Sequence, residues 1–199
     1  QNEICYIDLA GTNLMAEVIK VTGDKAFVQV YESTRGMKKG DKVVFEGFML
    51  EATLGPGLLS SSYDGLQNNL ETMEGVFLKR GEYTAPLDDE KLWDFTPIAK
   101  VGDQVRASDW LGEVKEGWLP HKIMVPFAFE GEYVVKSIVE AGQYKINDTI
   151  AILTDENNEE KVVTMVQKWP VKVSVGGYVE KPRPSKIMET GVRCIDTLN

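Results

Sequence analysis

The sequence predicts a mainly β protein, and three observations carry that prediction. Runs such as Val28-Gln29-Val30-Tyr31 and Lys42-Val43-Val44-Phe45 are rich in β-branched and aromatic residues, which suit a pleated, half-buried surface. Such runs recur every roughly 8–12 residues with turn residues between them, the rhythm of a small barrel or sandwich. Farther along, two related phrases each repeat a glycine turn, a short strand, an aspartate turn and a longer strand.

Taken in order, the first strands fall at Val18–Val21, Ala26–Tyr31, Asp41–Phe45 and Phe48–Leu54. Thr34-Arg35-Gly36 and Lys39-Gly40-Asp41 supply the turns, because glycine accepts positive φ and aspartate caps a turn. The rhythm stops at Leu54-Gly55-Pro56-Gly57, and the polar, glycine-broken segment through Leu66 marks a domain boundary. A short helix is expected over Leu66–Met73 and a strand over Glu74–Leu78. A second compact unit runs from about Leu92 to Val175. Its first phrase is Ala99–Val105 followed by Asp109–Val114, and its second is Val139–Ile146 followed by Asp148–Leu153. This self-similarity predicts two intertwined hairpin halves related by a pseudo-twofold axis. Asp155–Lys161 reads as a solvated hairpin tip and Val162–Val166 as the strand after it; Lys181–Lys186, rich in Pro and Lys, reads as an extended connector.

Composition narrows the function classes. The 199 residues are 43% hydrophobic, 27% charged and 9% aromatic, an ordinary globular balance. Lys and Arg number 22 against 31 Asp and Glu, giving a net charge of −9. Nucleic-acid clamps and anionic-lipid binders need a basic face, so neither is an expected partner. No apolar run reaches the about 18 residues of a membrane span, and no signal-peptide pattern opens the chain. Gln1 where an initiator Met belongs suggests a piece of a longer product. One histidine, His121, excludes a multi-histidine metal site, and Cys5 and Cys194 lack redox or zinc spacing, so they read as separate thiols.

No catalytic, cofactor-binding or metal-ligating residue is assigned on this basis. A Walker A loop requires GxxxxGK[ST], and no Gly-Lys dipeptide occurs. Gly55-Pro56-Gly57 is the one tempting glycine loop, but proline removes an amide that a phosphate nest needs, so it reads as a structural turn. His121, in a strand-like run before Lys122–Pro126, reads as structural, and Asp88, Asp89 and Glu90 read as a solvated face. Trp93, Trp110, Trp118 and Trp169 follow no stacking period and read as core or interface residues.

An ordered series of phrases then resembles the catalytic A subunit (alpha chain) of V-type and archaeal-type rotary ATPases. It runs from Gln29–Met37 through Leu54-Gly55-Pro56-Gly57-Leu58-Leu59 and Tyr63-Asp64-Gly65-Leu66-Gln67 to Trp93-Asp94-Phe95, Gly102-Asp103 and Leu111-Gly112-Glu113-Val114. His121–Pro126, Gln167-Lys168-Trp169-Pro170-Val171, Lys181-Pro182 and Thr190–Leu198 complete it. Asn68-Asn69-Leu70 stands where the family often has Arg-Pro-Leu, and Ser62 where isoleucine is common. The resemblance implies a partial six-stranded-type N-terminal β-barrel over 1–67, lacking its first strands. A connector and edge of the nucleotide-binding domain follow over 68–91. Residues 92–176 are an insert, or bulge, resembling a barrel-sandwich hybrid, and 177–199 begin an α/β nucleotide-binding domain.

The same resemblance implies a subunit that couples ATP hydrolysis or synthesis to H⁺ or Na⁺ transport. The present residues would stop before the Walker A loop, so this piece is expected to hold no cofactor and to be inactive alone, with ATP and Mg²⁺ belonging to the intact subunit. Expected partners are B subunits through the barrel and the peripheral stator stalk through the insert, in a cytoplasmic head peripheral to the membrane, without nucleic acid or membrane insertion. One rival reading remains. Glu130–Gln143 resembles the second half of biotinyl and lipoyl carrier domains, whose cofactor swings on a turn lysine, and Lys122 lies near that place. The biotin signature sets methionine on both sides of the lysine, whereas His121 and Ile123 flank it here. A stand-alone protein-interaction module is the other alternative.

Overall fold

The structure, a computed structural model, describes residues 1–59, 61–73, 79–174, 183, 185–186 and 189–197. The strand expected at Glu74–Leu78 lies outside them, as do Lys181, Pro182 and Pro184 of the connector.

Four strands form the first unit: β1 (Glu3–Leu9), β2 (Thr12–Thr22), β3 (Lys25–Val30) and β4 (Val43–Met49). They make an antiparallel sheet in the order β3-β2-β1-β4. Ile4, Cys5 and Ile7 of β1 and Leu14, Ala16 and Val18 of β2 are buried. The sequence reading placed strands from Val18 onward and left β1 unassigned; Asp8-Leu9-Ala10-Gly11 makes its turn with Ala10 and Gly11 at positive φ. Phe48–Leu54 does not form one strand: Phe48 and Met49 end β4, and after a break at Leu50 the chain resumes as β5 (Glu51–Leu54).

Leu66–Met73 is not a helix. The Asp64 carboxylate accepts from the Leu66 and Asn68 amides at 2.9 and 2.8 Å, and an isolated bridge joins Tyr63 to Asn69. Side-chain acceptors close to the backbone compete with helical bonding, and here they hold a chain of turns instead.

The second unit contains β6 (Leu92–Pro97), β7 (Gln104–Arg106), β8 (Trp110–Glu116), β9 (Leu119–Met124), β10 (Glu132–Ile138), β11 (Gly142–Lys145), β12 (Ala151–Thr154) and β13 (Glu160–Val163). One sheet runs β11-β6-β8-β9 and the other β13-β12-β10-β7. Exchanging each of β6–β9 with the strand four places later converts the first order into the second, read in reverse. Each half therefore lends one strand, β7 or β11, to the other half's sheet, the intertwined pseudo-twofold arrangement predicted from the repeated phrases. Matching bonds support the equivalence: Ile98 N–H donates to Leu111 O at 2.8 Å, and Val139 N–H to Ile150 O at 2.9 Å.

The aspartate turns are also one repeated device. The amides of Lys38, Lys100, Arg106 and Lys145 donate to the carboxylates of Asp41, Asp103, Asp109 and Asp148, each three residues on, at 2.7–2.9 Å. Two cores fill the unit. One gathers Trp93, Phe95, Val114, Ile123, Ile146 and Ile150, and the other Leu111, Val125, Val135 and Leu153 among their neighbours. The chain then returns to β5, with which β14 (Gln167–Pro170) pairs antiparallel in a separate two-stranded sheet. A short helix, α1 (Arg193–Asp196), follows.

Gly112 of β8 leaves room for the Phe95 side chain of the neighbouring strand β6, since a Cβ there would stand 2.3 Å from the Phe95 ring and 2.8 Å from Thr96 O. Gly112→Ala is expected to destabilise the fold by about 1–3 kcal/mol through overpacking, read as a lower midpoint in urea unfolding.

Candidate functional site

The residues singled out in the sequence converge on one junction between the two units. At its centre is Glu116, at the end of β8 and 6% exposed. Its Oε1 accepts from the amides of Gly57 and Leu59 at 2.7 and 3.0 Å, and its Oε2 lies 2.7 Å from His121 Nδ1. A carboxylate only accepts, so Nδ1 carries the hydrogen. His121 faces Val114 across the β8–β9 ladder, and the tight turn at Gly117, φ 61°, folds Glu116 back toward it.

This arrangement decides the chemistry of the Gly55-Pro56-Gly57 loop. The amides of Gly57 and of Leu59 just after it already hold a protein carboxylate, so the loop takes part in a structural contact. It is packed closely: a Cβ on Gly55 would stand 3.0 Å from Val166 Cγ2 and 3.2 Å from Leu87 Cδ1.

Further polar brackets surround the clamp. Gln67, at φ 63°, bonds Thr53 in both directions, accepting its N–H at 2.7 Å and donating to its carbonyl at 2.8 Å. Tyr63 O–H donates to Pro86 O at 2.8 Å. Asn68 is buried, donates to Asp64 Oδ2 at 2.8 Å and accepts from Thr84 N–H at 3.0 Å, so this departure from the family pattern is fully integrated. Glu32 accepts from Gly81 N–H at 2.6 Å and from Tyr83 O–H at 2.5 Å. Burial and the Glu32 bond push the Tyr83 phenol well above its ordinary range.

A second carboxylate spans the units. Glu17 of β2, 8% exposed, accepts from Tyr31 O–H at 2.9 Å and pairs with Lys172, just beyond β14. Burial raises the Glu17 carboxyl, but the bonds from Lys172 and Tyr31 outweigh it and leave its value lowered. Tyr31, buried against the same carboxylate, is pushed up to about 12.

The remaining singled-out residues are dispersed. Asp88, Asp89 and Glu90 are exposed and bond outward, Asp89 to Asn147 at 3.2 Å and Glu90 to Lys145 at 2.5 Å, a solvated face as read. Cys5 is buried and Cys194 exposed, and both are free thiols. Trp93 belongs to the core, Trp169 donates to Val173 O at 2.8 Å, and Trp118 is 88% exposed at the β8–β9 turn. The carrier reading fails on geometry. Lys122 sits inside β9 opposite Glu113, pairs with that carboxylate and lies 4.9 Å from the Trp110 ring, not on a free hairpin turn. Sequence reasoning did not single out Glu116, Glu17 or Glu32, because their partners lie 59, 155 and 51 residues away in the chain.

Residues 2–47 match the ATP synthase alpha/beta family, beta-barrel domain, and residues 84–172 match the ATPsynthase alpha/beta subunit barrel-sandwich domain. The chain belongs to the ATP synthase alpha/beta family. The V-type ATP synthase alpha chain of Borrelia garinii subsp. bavariensis is 45% identical over 199 residues, which cover 98% of this chain and 35% of the relative. That of Treponema denticola is 44% identical over 98% of this chain and 34% of its own, and that of Protochlamydia amoebophila 44% over 99% and 34%. The chain thus spans about a third of the length of the curated relatives it matches. Within the family it is an alpha-chain sequence of the V-type kind, carrying the barrel and barrel-sandwich portions. Among the described residues no helix is long and apolar enough to cross a membrane.

The clamp makes two measurable demands. Glu116→Ala leaves two amides and His121 without their acceptor and is expected to cost about 2–4 kcal/mol in urea unfolding, with hydrogen exchange accelerated at Gly57 and Leu59. For Glu17 the folded carboxyl is depressed below its ordinary 4.5, so its contribution is present above that value and lost as pH falls through the folded value. Unfolding followed between pH 3 and 6 is expected to show that loss, and Glu17→Gln to flatten it.

Proposed function

We propose that this chain is the N-terminal portion of the catalytic alpha (A) subunit of a V-type rotary ATPase, which couples ATP hydrolysis or synthesis to H⁺ or Na⁺ transport. The observation that carries the reading is the 44–45% identity to V-type ATP synthase alpha chains along nearly all of this chain. Within that subunit, residues 1–67 serve assembly with B subunits and 92–176 reach the peripheral stator stalk, in a head at the cytoplasmic side of the membrane. Exposed apolar residues support an assembly role for the first unit. Val43 and Phe45 lie opposite buried Ile7 and Cys5, on the core face of the sheet, yet are 39% and 50% exposed, with Phe27 and Val21 also bare.

ATP and Mg²⁺ belong to residues outside this chain. The engagement of the Gly57 and Leu59 amides by Glu116 supports placing the phosphate cradle elsewhere in the subunit. What this portion contributes to the reaction is position: it holds the units that meet neighbouring subunits in fixed relation to each other.

Calorimetry with Mg·ATP on this chain and on the full-length gene product tests the division. Binding by the longer protein alone is the expected result. Binding by the 199-residue chain would overturn the division of labour, and silence from the longer protein would overturn the nucleotide-binding assignment.

A further inference from the structure

Among the described residues, one buried side-chain donor has no acceptor. Trp93 of β6 is 6% exposed, and its indole Nε1 is closed to solvent and unpartnered. Buried polar groups in folded proteins are nearly always hydrogen-bonded, so an unmet N–H marks a place that calls for an acceptor. Trp93 lines a pocket of about 400 Å³ where β6 and the β8–β9 turn meet the loop after β5. A Cβ on Gly57, which also lines it, would stand 3.6 Å from Trp93 Cζ2. That carbon is bonded to the one carrying Nε1, so the nitrogen-bearing side of the indole lies toward this wall of the pocket.

Four charged residues line the pocket, and they are not equivalent. Glu116 is held by two amides and His121, and Asp94 accepts from Gln143 at 3.0 Å. Lys91 and Lys115 are exposed, and neither side chain makes an ion pair or hydrogen bond among the described residues. The Lys91 ammonium lies over the Trp93 ring, 4.1 Å from its centroid. Both carboxylates thus have donors already, whereas two cations and one N–H have no acceptor.

We propose that this pocket binds a small dicarboxylate. One carboxylate pairs with Lys91 and accepts from Trp93 Nε1, and the other pairs with Lys115. Trp118, 88% exposed at the β8–β9 turn, lies against the body of the ligand. Because Nε1 is closed to solvent in the free structure, the exposed Lys91 and Trp118 side chains shift as the ligand seats. A pocket of this volume is in the range that holds one small molecule. The Gly57 and Leu59 amides, which would suit phosphate oxygens, are taken by Glu116, so the site favours carboxylate over phosphate.

Calorimetry of the full-length subunit with succinate, beside proton–nitrogen spectra of its tryptophan indoles, tests the assignment. The expected result is saturable binding with a shift of the Trp93 N–H resonance, which is assigned by its loss in Trp93→Phe. Lys91→Gln and Lys115→Gln are each expected to weaken binding about fivefold, as is replacing succinate by acetate. Should Trp93→Phe fail to fold, the two lysine variants decide the matter by calorimetry alone, since both side chains are exposed. No saturable binding to the full-length subunit overturns the inference, because other residues of the protein then fill or close the pocket. Binding that leaves the Trp93 resonance unmoved, or that is indifferent to both lysine variants, overturns it as well. Inorganic phosphate or acetate bound as tightly as succinate overturns the ligand class.

Discussion

A carboxylate taken out of water is costly unless its oxygens are met, and Glu116 meets that requirement across the boundary between two units. One oxygen takes two amides of the loop after β5; the other takes His121 from the strand beside it. Because the donors come from the loop and the acceptor from the insert, neither unit can be satisfied in the absence of the other. The β5–β14 pairing closes the same junction from the far end of the insert. The insert is therefore held at both its entry and its exit, and Glu17 with Lys172 adds a third tie to the first sheet.

These ties convert a flexible pair of β units into a bracket of defined geometry. The Glu116 bonds are short and buried, so they are screened little by salt, unlike exposed pairs such as Lys136 with Glu160.

Much of this was legible along the chain. The repeated phrases predicted the pseudo-twofold insert because each glycine and aspartate turn is a local device: the Asp109 and Asp148 caps bond a residue three positions back. The strand at Val28–Tyr31 and the hairpin tip at Asp155 were readable for the same reason. The turns at 66–73 were not, since apolar spacing there mimics a helix while Asp64 captures the amides that a helix would use. Strand β1 was passed over because Ile4-Cys5-Tyr6-Ile7 is a short apolar run whose identity depends on pairing with β2 and β4.

The sequence by itself determined the class of fold and the kinship with alpha chains. Each rests on residue type and local spacing, which need no knowledge of the third dimension. Tertiary structure alone decided that Glu116 is a buried clamp and not a surface charge, and that Lys122 is held in a strand against Glu113. Those outcomes depend on groups brought together from distant parts of the chain, and the free energy of a charge is set by what surrounds it, not by its neighbours in sequence.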